Sequence, residues 1–254
     1  MDHNMFCFQC EQTAGCTGCT RSGVCGKDAE TAQVQDRLTG ALIGLARAAD
    51  TSPDAGPETW QLMIEGLFAT LTNVNFDPDS LHALTERVWA EKQRLVPDCA
   101  VCTAPCGRTG DYDLAQLWSA QEDIRSLKSL LLFGSRGMAA YAYHAMVLGY
   151  RDETVERFLA KALFAVGEDW GMEELLPLVL ELGAVNLRCM ALLDKANTGS
   201  FGKPSPVHVP FAVEPGPFIV VSGHDLHDLK LLLEQTAGRG IAVYTHGEML
   251  SAHA

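Results

Sequence analysis

Four cysteines near the start of the chain, Cys7, Cys10, Cys19 and Cys25, have the spacing of a metal site. Cys7 and Cys10 form a C-x2-C pair, whose two thiolates can reach one metal centre from a single tight turn. Cys19 and Cys25 can complete a tetrahedral set of sulfur ligands. Zinc sites usually contain two such pairs, and this set of four contains only one. The spacing therefore favours a [4Fe-4S] cluster, with zinc and a redox-active dithiol as the alternatives.

The residues around these cysteines suit a loop that wraps a cluster. Glycines give such a loop the backbone freedom to aim amide hydrogens at the sulfurs, which tunes the reduction potential. The glycines in question are Gly15, Gly18, Gly23 and Gly26. Phe6, Phe8 and Val24 are expected to shield the cluster from water. A fifth cysteine, Cys16, could replace Cys19 as a ligand, but we interpret it as a bystander.

Several other residues invite a functional interpretation and are assigned a simpler one. Cys99, Cys102 and Cys106 could bind a metal or form a redox pair, but we interpret them as free thiols in a loop between helices. Cys189 on an apolar helix is interpreted as a packing residue. His144, between tyrosines and alanines, is expected to be a core histidine with its hydrogen bonds satisfied.

The composition disfavours some partners and locations. Of the 254 residues, 47% are apolar and 20% charged, and the net charge is -13. This acidity disfavours nucleic acid and anionic membrane surfaces as partners. The sequence contains no run of eighteen apolar residues, and its amino terminus lacks a basic, apolar leader. With nine cysteines, it is expected to be a soluble cytoplasmic protein that uses them for metal chemistry rather than disulfides.

Apolar residues recur at helical spacing through most of the chain, which predicts a mainly α protein. Residues 1–29 are assigned to the cluster-binding loop and residues 30–198 to a multi-helix bundle domain. Helices are expected near residues 38–45, 60–71, 81–88, 114–132, 137–148, 152–166 and 173–197. The last is expected to end at the pattern Asn197-Thr-Gly199. Five prolines after it mark residues 199–217 as a linker.

Residues 218–254 predict the beginning of an α/β domain. Apolar runs at 218–223 and 241–245 predict parallel strands, and Asp225 can cap a helix over residues 226–237 between them. This Rossmann-like β-α-β unit stops at Ala254 without a sheet to join, so we expect the sequence to be incomplete at its carboxyl end. His224 and Glu248 each follow a predicted strand, where open α/β sheets bind ligands. Considered alone, they are a loop histidine and a favourable charge in a helix's first turn.

Five segments together resemble one family in the order in which they occur. The first is the cysteine-rich head, continuing into Gly26-Lys-Asp-Ala-Glu-Thr-Ala-Gln. The others are Gln121-Glu-Asp-Ile-Arg-Ser-Leu-Lys, Arg136-Gly-Met-Ala-Ala-Tyr-Ala-Tyr-His-Ala145, Val221-Ser-Gly-His-Asp-Leu226 and Tyr244-Thr-His-Gly-Glu-Met-Leu250. They resemble the hybrid cluster protein family, also called prismane proteins or hydroxylamine reductases. The resemblance covers essentially the whole chain.

The resemblance implies two metal centres. Cys7, Cys10, Cys19 and Cys25 match the family form that holds a [4Fe-4S] proximal cluster, which favours iron over zinc. His224 and Glu248 match a histidine and a glutamate ligand of the hybrid [4Fe-2O-2S] cluster. The remaining ligands of that cluster, cysteines and another glutamate, are expected beyond Ala254, because family members are longer.

The activity implied by the resemblance is reduction of hydroxylamine to ammonia and water, with nitric oxide reduction as a competing role. Electrons would come from an external redox protein and enter through the head cluster. In the alternative interpretation, the chain alone is an electron-transfer or binding module with one cluster and no hybrid cluster. A relationship to carbon monoxide dehydrogenases is a third possibility, and the head argues against it.

Overall fold

The computed structural model describes residues 5–10, 17–96 and 110–254. The described chain is mainly helical and ends in a small parallel sheet unit, which confirms the predicted fold class. The helices before the sheet are α1 (Ala29–Thr51), α2 (Pro57–Ala69), α3 (Pro78–Leu95), α4 (Leu114–Ser119), α5 (Glu122–Val147), α6 (Glu153–Gly167) and α7 (Met172–Phe201). After them come β1 (Phe218–Ser222), α8 (Leu226–Thr236), β2 (Ala242–His246) and a short 3-10 helix, Gly247–His253.

Aspartate side chains fix the starts of many helices. An aspartate before the first turn accepts hydrogen bonds from backbone N–H groups that have no partner inside the helix. The capping residues are Asp28, Asp77, Asp113, Asp152 and Asp225. Two of them lie close to predicted site residues, since Asp28 lies three residues after Cys25 and Asp225 follows His224. These two caps fix where the loops that carry the candidate ligands end.

One predicted helix boundary, between residues 132 and 137, is wrong. The helix is interrupted between Ser119 and Glu122 instead, and α5 continues through Gly134 and Gly137. At Gly134 a Cβ atom would lie 2.5 Å from Leu182 Cδ2, so the absence of a side chain lets α7 approach α5 closely. This glycine therefore serves helix packing and does not interrupt the helix.

The predicted end of α7 is also wrong. The helix continues past Asn197 to Phe201, so the predicted linker begins with three helical residues. Gly202 ends it with a φ of +98°, a left-handed conformation that glycine adopts without strain, and its N–H donates to the Thr198 carbonyl. The helix therefore ends at Gly202 and not at the predicted Gly199.

The chain divides into two compact units, Met1–Tyr143 with Arg151–Ala191, and His144–Tyr150 with Leu192–Ala254. In the first unit α1 is the central helix and packs against α2, α3 and α6. The apolar side chains of α1 that are completely buried include Leu38, Leu42, Ile43 and Leu45. Helix α1 is therefore the scaffold on which the cysteine-rich loop rests.

In the second unit β1 and β2 lie side by side and parallel, in a register that runs from Phe218 opposite Ala242 to Ser222 opposite His246. Helix α8 connects them, as predicted, and begins at Asp225. Because the strands are parallel and end at the same level, the loops after Ser222 and His246 leave the sheet from one edge.

Helix α7 has exposed apolar surface. Leu180 and Leu187 are 70% and 69% exposed. Among the described residues, α7 is the one helix that is long and apolar enough to cross a bilayer by length and composition. Of its most apolar 18-residue stretch, 28% is buried. The sequence has no uninterrupted apolar run of that length, but α7 is sufficiently apolar on average because its polar residues are few.

Candidate metal centre

Cys7 and Cys19 lie side by side in the head of the chain. The Cys7 N–H donates to the Cys19 carbonyl at 3.0 Å, and the Cys19 N–H donates to the Cys7 carbonyl at 2.8 Å, which makes an antiparallel bridge. Both residues are buried and pack against Met5 and Ala32. Residues paired in this way direct their side chains to the same face, roughly 5 Å apart at Cβ. The structure thus brings together two predicted ligands that are distant in sequence.

Cys10 and Cys25 are partly exposed. A turn positions Cys25, in which the Gly26 N–H donates to the Gly23 carbonyl at 2.9 Å and the Gly23 N–H donates to the Lys27 carbonyl at 2.8 Å. A Cβ at Gly23 would lie 3.0 Å from Cys25 Sγ, so glycine leaves room for that sulfur. The four predicted ligands therefore form a buried pair and a more accessible pair.

Aromatic side chains cover the loop on one side. Phe8 is buried, and its ring centroid lies 4.8 Å from that of Trp118, which also contacts Phe6 at 5.3 Å. Gly18 has a φ of +100°, and a Cβ there would lie 2.5 Å from the Phe6 ring, so this position requires glycine. The expected shielding by Val24 is wrong, since its side chain is 65% exposed.

Gln9, between Cys7 and Cys10, connects the loop to α1. Its side-chain Nε2 donates to the Ala32 carbonyl at 2.9 Å and to Asp36 Oδ1 at 2.6 Å. Its Oε1 accepts from Lys27 Nζ at 2.6 Å, and Lys27 also donates to Gln35 Oε1. These bonds hold the C-x2-C turn against the first two turns of α1.

Arg136 on α5 is completely buried behind this loop. Its Nη1 donates to the Gln9 carbonyl at 2.7 Å, its Nη2 to Thr39 Oγ1 at 2.9 Å and its Nε to Thr70 Oγ1 at 3.1 Å. One guanidinium therefore joins the cysteine-rich loop, α1 and the end of α2.

Burial dominates the electrostatics of this region. It raises the pKa of the Cys7 thiol, while the backbone hydrogen bond at Gln9 and the Lys27 charge lower it. Burial lowers the pKa of Lys27, and the charges of Cys7 and Cys25 oppose this. It also raises the pKa of Asp36 to about 6 and lowers that of Arg136 to about 10. Burial therefore disfavours each isolated charge in this region, whereas the cysteine thiolates and the two cations favour each other's charged forms.

Four site residues were not predicted from the sequence: Gln9, Lys27, Asp36 and Arg136. The one available signal was Arg136 itself, a charge among apolar residues in a segment already noted for its family resemblance. Gln9, Lys27 and Asp36 are ordinary loop or helix-surface residues by type. Only the packing of α1, α2 and α5 shows that these groups meet.

The donor chemistry of the head fits a bound iron–sulfur cluster. Cys7 and Cys19 are paired on one face, and the cations of Lys27 and Arg136 act on the cysteines that a cluster would use as thiolates. Among the described residues, no three His, Cys, Asp or Glu side chains are already grouped closely enough to hold a metal ion. The assignment of all four cysteines as ligands stays a prediction.

His224 and Glu248 meet at the carboxyl edge of the two strands. His224 Nε2 lies 3.7 Å from Glu248 Oε2, and the side chains are 73% and 72% exposed. The predicted proximity follows from the parallel register, which brings the loops after β1 and β2 to one edge. Their role as metal ligands stays a prediction.

His144 lies near this pair within the second unit and is not a core residue. Its side chain is 21% exposed, and its Nδ1 lies 3.5 Å from Asp225 Oδ2. Burial lowers the pKa of His144, and the Asp225 carboxylate opposes that shift. The expectation of a satisfied core histidine is therefore wrong about its burial.

The other cysteines separate into two groups. Cys189 is completely buried, and its Sγ lies 3.5 Å from the Met138 carbonyl oxygen. This burial agrees with its predicted role as a packing residue. Cys16, Cys99, Cys102 and Cys106 lie outside the described residues. Their predicted roles are therefore not tested by the structure.

These features place the chain among multidomain, cysteine-rich proteins. It combines a cysteine-rich head, a set of helices and a β-α-β unit that has a His–Glu pair at its edge. The chain belongs to the Prismane/CO dehydrogenase family, whose model matches residues 5–254. Members of this family are iron–sulfur oxidoreductases. The resemblance stated from the sequence is thereby confirmed.

Curated relatives agree with this membership. A hydroxylamine reductase of Maridesulfovibrio salexigens is 43% identical over 98% of this chain and 49% of its own length. Those of Solidesulfovibrio magneticus and Syntrophobacter fumaroxidans are 45% and 46% identical over 98% of this chain and 50% of their own lengths. The chain spans about half the length of the curated relatives it matches.

Proposed function

We propose that this chain is the amino-terminal, cluster-bearing part of an iron–sulfur oxidoreductase that reduces hydroxylamine. The observation that carries the proposal is the bridge between Cys7 and Cys19, backed by buried cations, in a chain that matches hydroxylamine reductases over almost its whole length. A stand-alone module with one cluster is the second candidate, because the described residues group no complete hybrid-cluster ligand set.

The residues of the head have distinct roles in this proposal. Cys7 and Cys19 would hold a [4Fe-4S] cluster from its buried side, and Cys10 and Cys25 from its accessible side. A bound cluster of this type supplies single electrons at a potential set by its protein surroundings. Phe8 excludes water from the buried side. The partial exposure of Cys10 and Cys25 gives an external redox protein a short path for electron entry.

His224 and Glu248 would bind the hybrid [4Fe-2O-2S] cluster through an imidazole nitrogen and a carboxylate oxygen. These ligands are harder than thiolates, and a cluster bound by them can offer iron positions to small oxygen or nitrogen compounds. The proposed reaction consumes two electrons and two protons, NH2OH + 2e⁻ + 2H⁺ → NH3 + H2O. Nitric oxide is the competing substrate.

We also propose a cytoplasmic location with no nucleic-acid or membrane partner, in keeping with the cysteine usage and the net charge of -13.

Anaerobic reconstitution of the 254-residue chain tests the head. We expect about four irons and four sulfides per chain and a broad visible absorption. Cys10→Ser should abolish that absorption, whereas the matched variant Cys16→Ser should leave it nearly unchanged. Stoichiometric zinc without iron or sulfide would refute the redox assignment, and the reverse behaviour of the two variants would reassign the ligand.

The second site is tested in a protein with the length of the relatives. Because His224 and Glu248 are exposed, His224→Ala and Glu248→Gln should leave folding intact while lowering hybrid-cluster content and hydroxylamine reduction. His208→Ala, at another exposed histidine, is the matched control. Hydroxylamine turnover by the 254-residue chain alone, at the rate of the longer protein, would contradict the assignment of further ligands outside this chain.

A further inference from the structure

Two buried cations lie behind the cysteine pair and are hydrogen-bonded to neutral groups. Lys27 donates to the side-chain oxygens of Gln9 and Gln35. Arg136 donates to the Gln9 carbonyl and to the hydroxyl oxygens of Thr39 and Thr70. The ion pairs found in the described part of the chain include neither cation. A buried charge without an opposite charge is costly, so such a pair of cations calls for a nearby anion.

Asp36 alone does not balance these charges. Its carboxylate attracts both cations, but it accepts its hydrogen bond from Gln9 Nε2 at 2.6 Å and not from either cation. Burial also opposes its ionisation, which raises its pKa to about 6. Two cations against one carboxylate leave an excess of positive charge in the wall behind the loop.

The cysteine sulfurs are the remaining groups that could carry the balancing charge. The Lys27 ammonium interacts with the charges of Cys7 and Cys25, and the Arg136 guanidinium with those of Cys7 and Cys10. The two cations therefore act on three of the four predicted ligands, and both act on Cys7.

We propose that Lys27 and Arg136 are electrostatic positioning residues that raise the reduction potential of the cluster bound by the head cysteines, an inference that rests on the proposed function. With four thiolates, one-electron reduction of [4Fe-4S]²⁺ to [4Fe-4S]⁺ adds one negative charge to a group that is already anionic. Fixed positive charge stabilises the more negative, reduced state. The two residues thereby allow a milder external redox protein to donate the electron.

Redox titration of the reconstituted 254-residue chain with dithionite, followed by electron paramagnetic resonance, tests this inference. Arg136→Met removes the charge and keeps an unbranched side chain, whereas Arg136→Lys keeps the charge and loses the forked hydrogen bonds. Loss of one unit charge at about 10 Å in a medium of effective dielectric constant about 20 changes the reduction equilibrium on the order of tenfold. A tenfold change in a one-electron couple is a shift of about 59 mV, and we expect it towards lower potential for Arg136→Met.

Three comparisons separate the effect of charge from that of structure. Lys27→Met should lower the potential in the same direction, and Arg136→Lys should shift it by less than half as much as Arg136→Met. Arg47→Met is the matched control, because Arg47 is a largely buried arginine of the same unit that is paired with Glu168. Its potential should equal that of the original chain.

The possible outcomes distinguish failure of this inference from failure of the proposed function. Equal potentials in the original chain, Arg136→Met and Lys27→Met, with full clusters, would overturn this inference and leave the proposed function standing. Absence of a cluster from the original chain would refute the proposed function itself. If Arg136→Met fails to fold by circular dichroism, Lys27→Met carries the same test, and failure of both to fold would make the cations structural and overturn the inference.

Discussion

Replacing Asp36 by asparagine should change how the stability of the protein depends on pH. Asparagine has nearly the same shape, and its side-chain oxygen can still accept the hydrogen bond from Gln9. Burial raises the pKa of the Asp36 carboxyl from its ordinary value of 3.8 to about 6 in the folded protein. Each pKa unit corresponds to about 1.4 kcal/mol, so ionisation of Asp36 costs the folded state about 3 kcal/mol.

The sign of the effect follows from which state holds the proton. Between pH 4 and 6 the folded protein keeps the Asp36 proton and the unfolded chain releases it, so stability falls as pH rises. The penalty is absent below the unfolded pKa and complete above the folded one. Relative to Asp36→Asn, the original chain should therefore lose on the order of 3 kcal/mol across this window.

Urea unfolding of the reduced, metal-free chain and of Asp36→Asn at pH 4, 5, 6 and 7, followed by circular dichroism, measures this difference. Asp152→Asn is the matched control. Burial alone would raise the pKa of Asp152, but hydrogen bonds from Arg188 and from the N–H groups of Thr154 and Val155 lower it overall. Its contribution is therefore lost only below the ordinary carboxyl pKa, and the difference should stay constant from pH 5 to 7. Parallel curves for the original chain and Asp36→Asn would refute the reasoning.

Three further predictions concern one buried cysteine and two helix glycines. Burial raises the pKa of Cys189 to about 12, so iodoacetamide at pH 8 should label it only after unfolding, as measured by peptide mass spectrometry; labelling of the folded chain would contradict its burial. Gly66→Ala would place a Cβ 2.7 Å from Leu42 Cδ1 and should cost about 1–3 kcal/mol in urea unfolding. Gly137→Ala, where a Cβ meets nothing within 4 Å, should instead stabilise α5 by about 0.5–1 kcal/mol; equal effects at both glycines would rule out the packing argument.

The sequence was most informative where local chemistry and structure agree. Asp225 caps α8 and two apolar β-branched runs form β1 and β2, so the proximity of His224 and Glu248 followed from strand direction alone. The spacing of Cys7 and Cys19 indicated a shared site, although it gave no reason to expect a two-residue backbone bridge. Periodicity also predicted most helices of the bundle.

The sequence was least informative where tertiary contacts decide. The sequence predicted one helix ending at residue 132 and another beginning at residue 137, but α5 continues through Gly134, whose missing side chain leaves room for Leu182. Lys27 and Arg136 have side chains that are usually solvated, and their burial depends on helices far apart in the sequence. Such residues cannot be recognised from type and spacing, because the groups that satisfy them are supplied by the fold.

Under the proposed function, the guanidinium of Arg136 would also set an order of events in the maturation of the protein. Its hydrogen bond to the Gln9 carbonyl joins positions that are 127 residues apart. A nascent chain with only its head outside the ribosome has the four predicted cysteine ligands but lacks the Arg136 side chain, which holds the loop backbone at Gln9. If the head binds a cluster, its insertion should therefore follow synthesis and packing of α5, because the helices must already hold the loop that receives it.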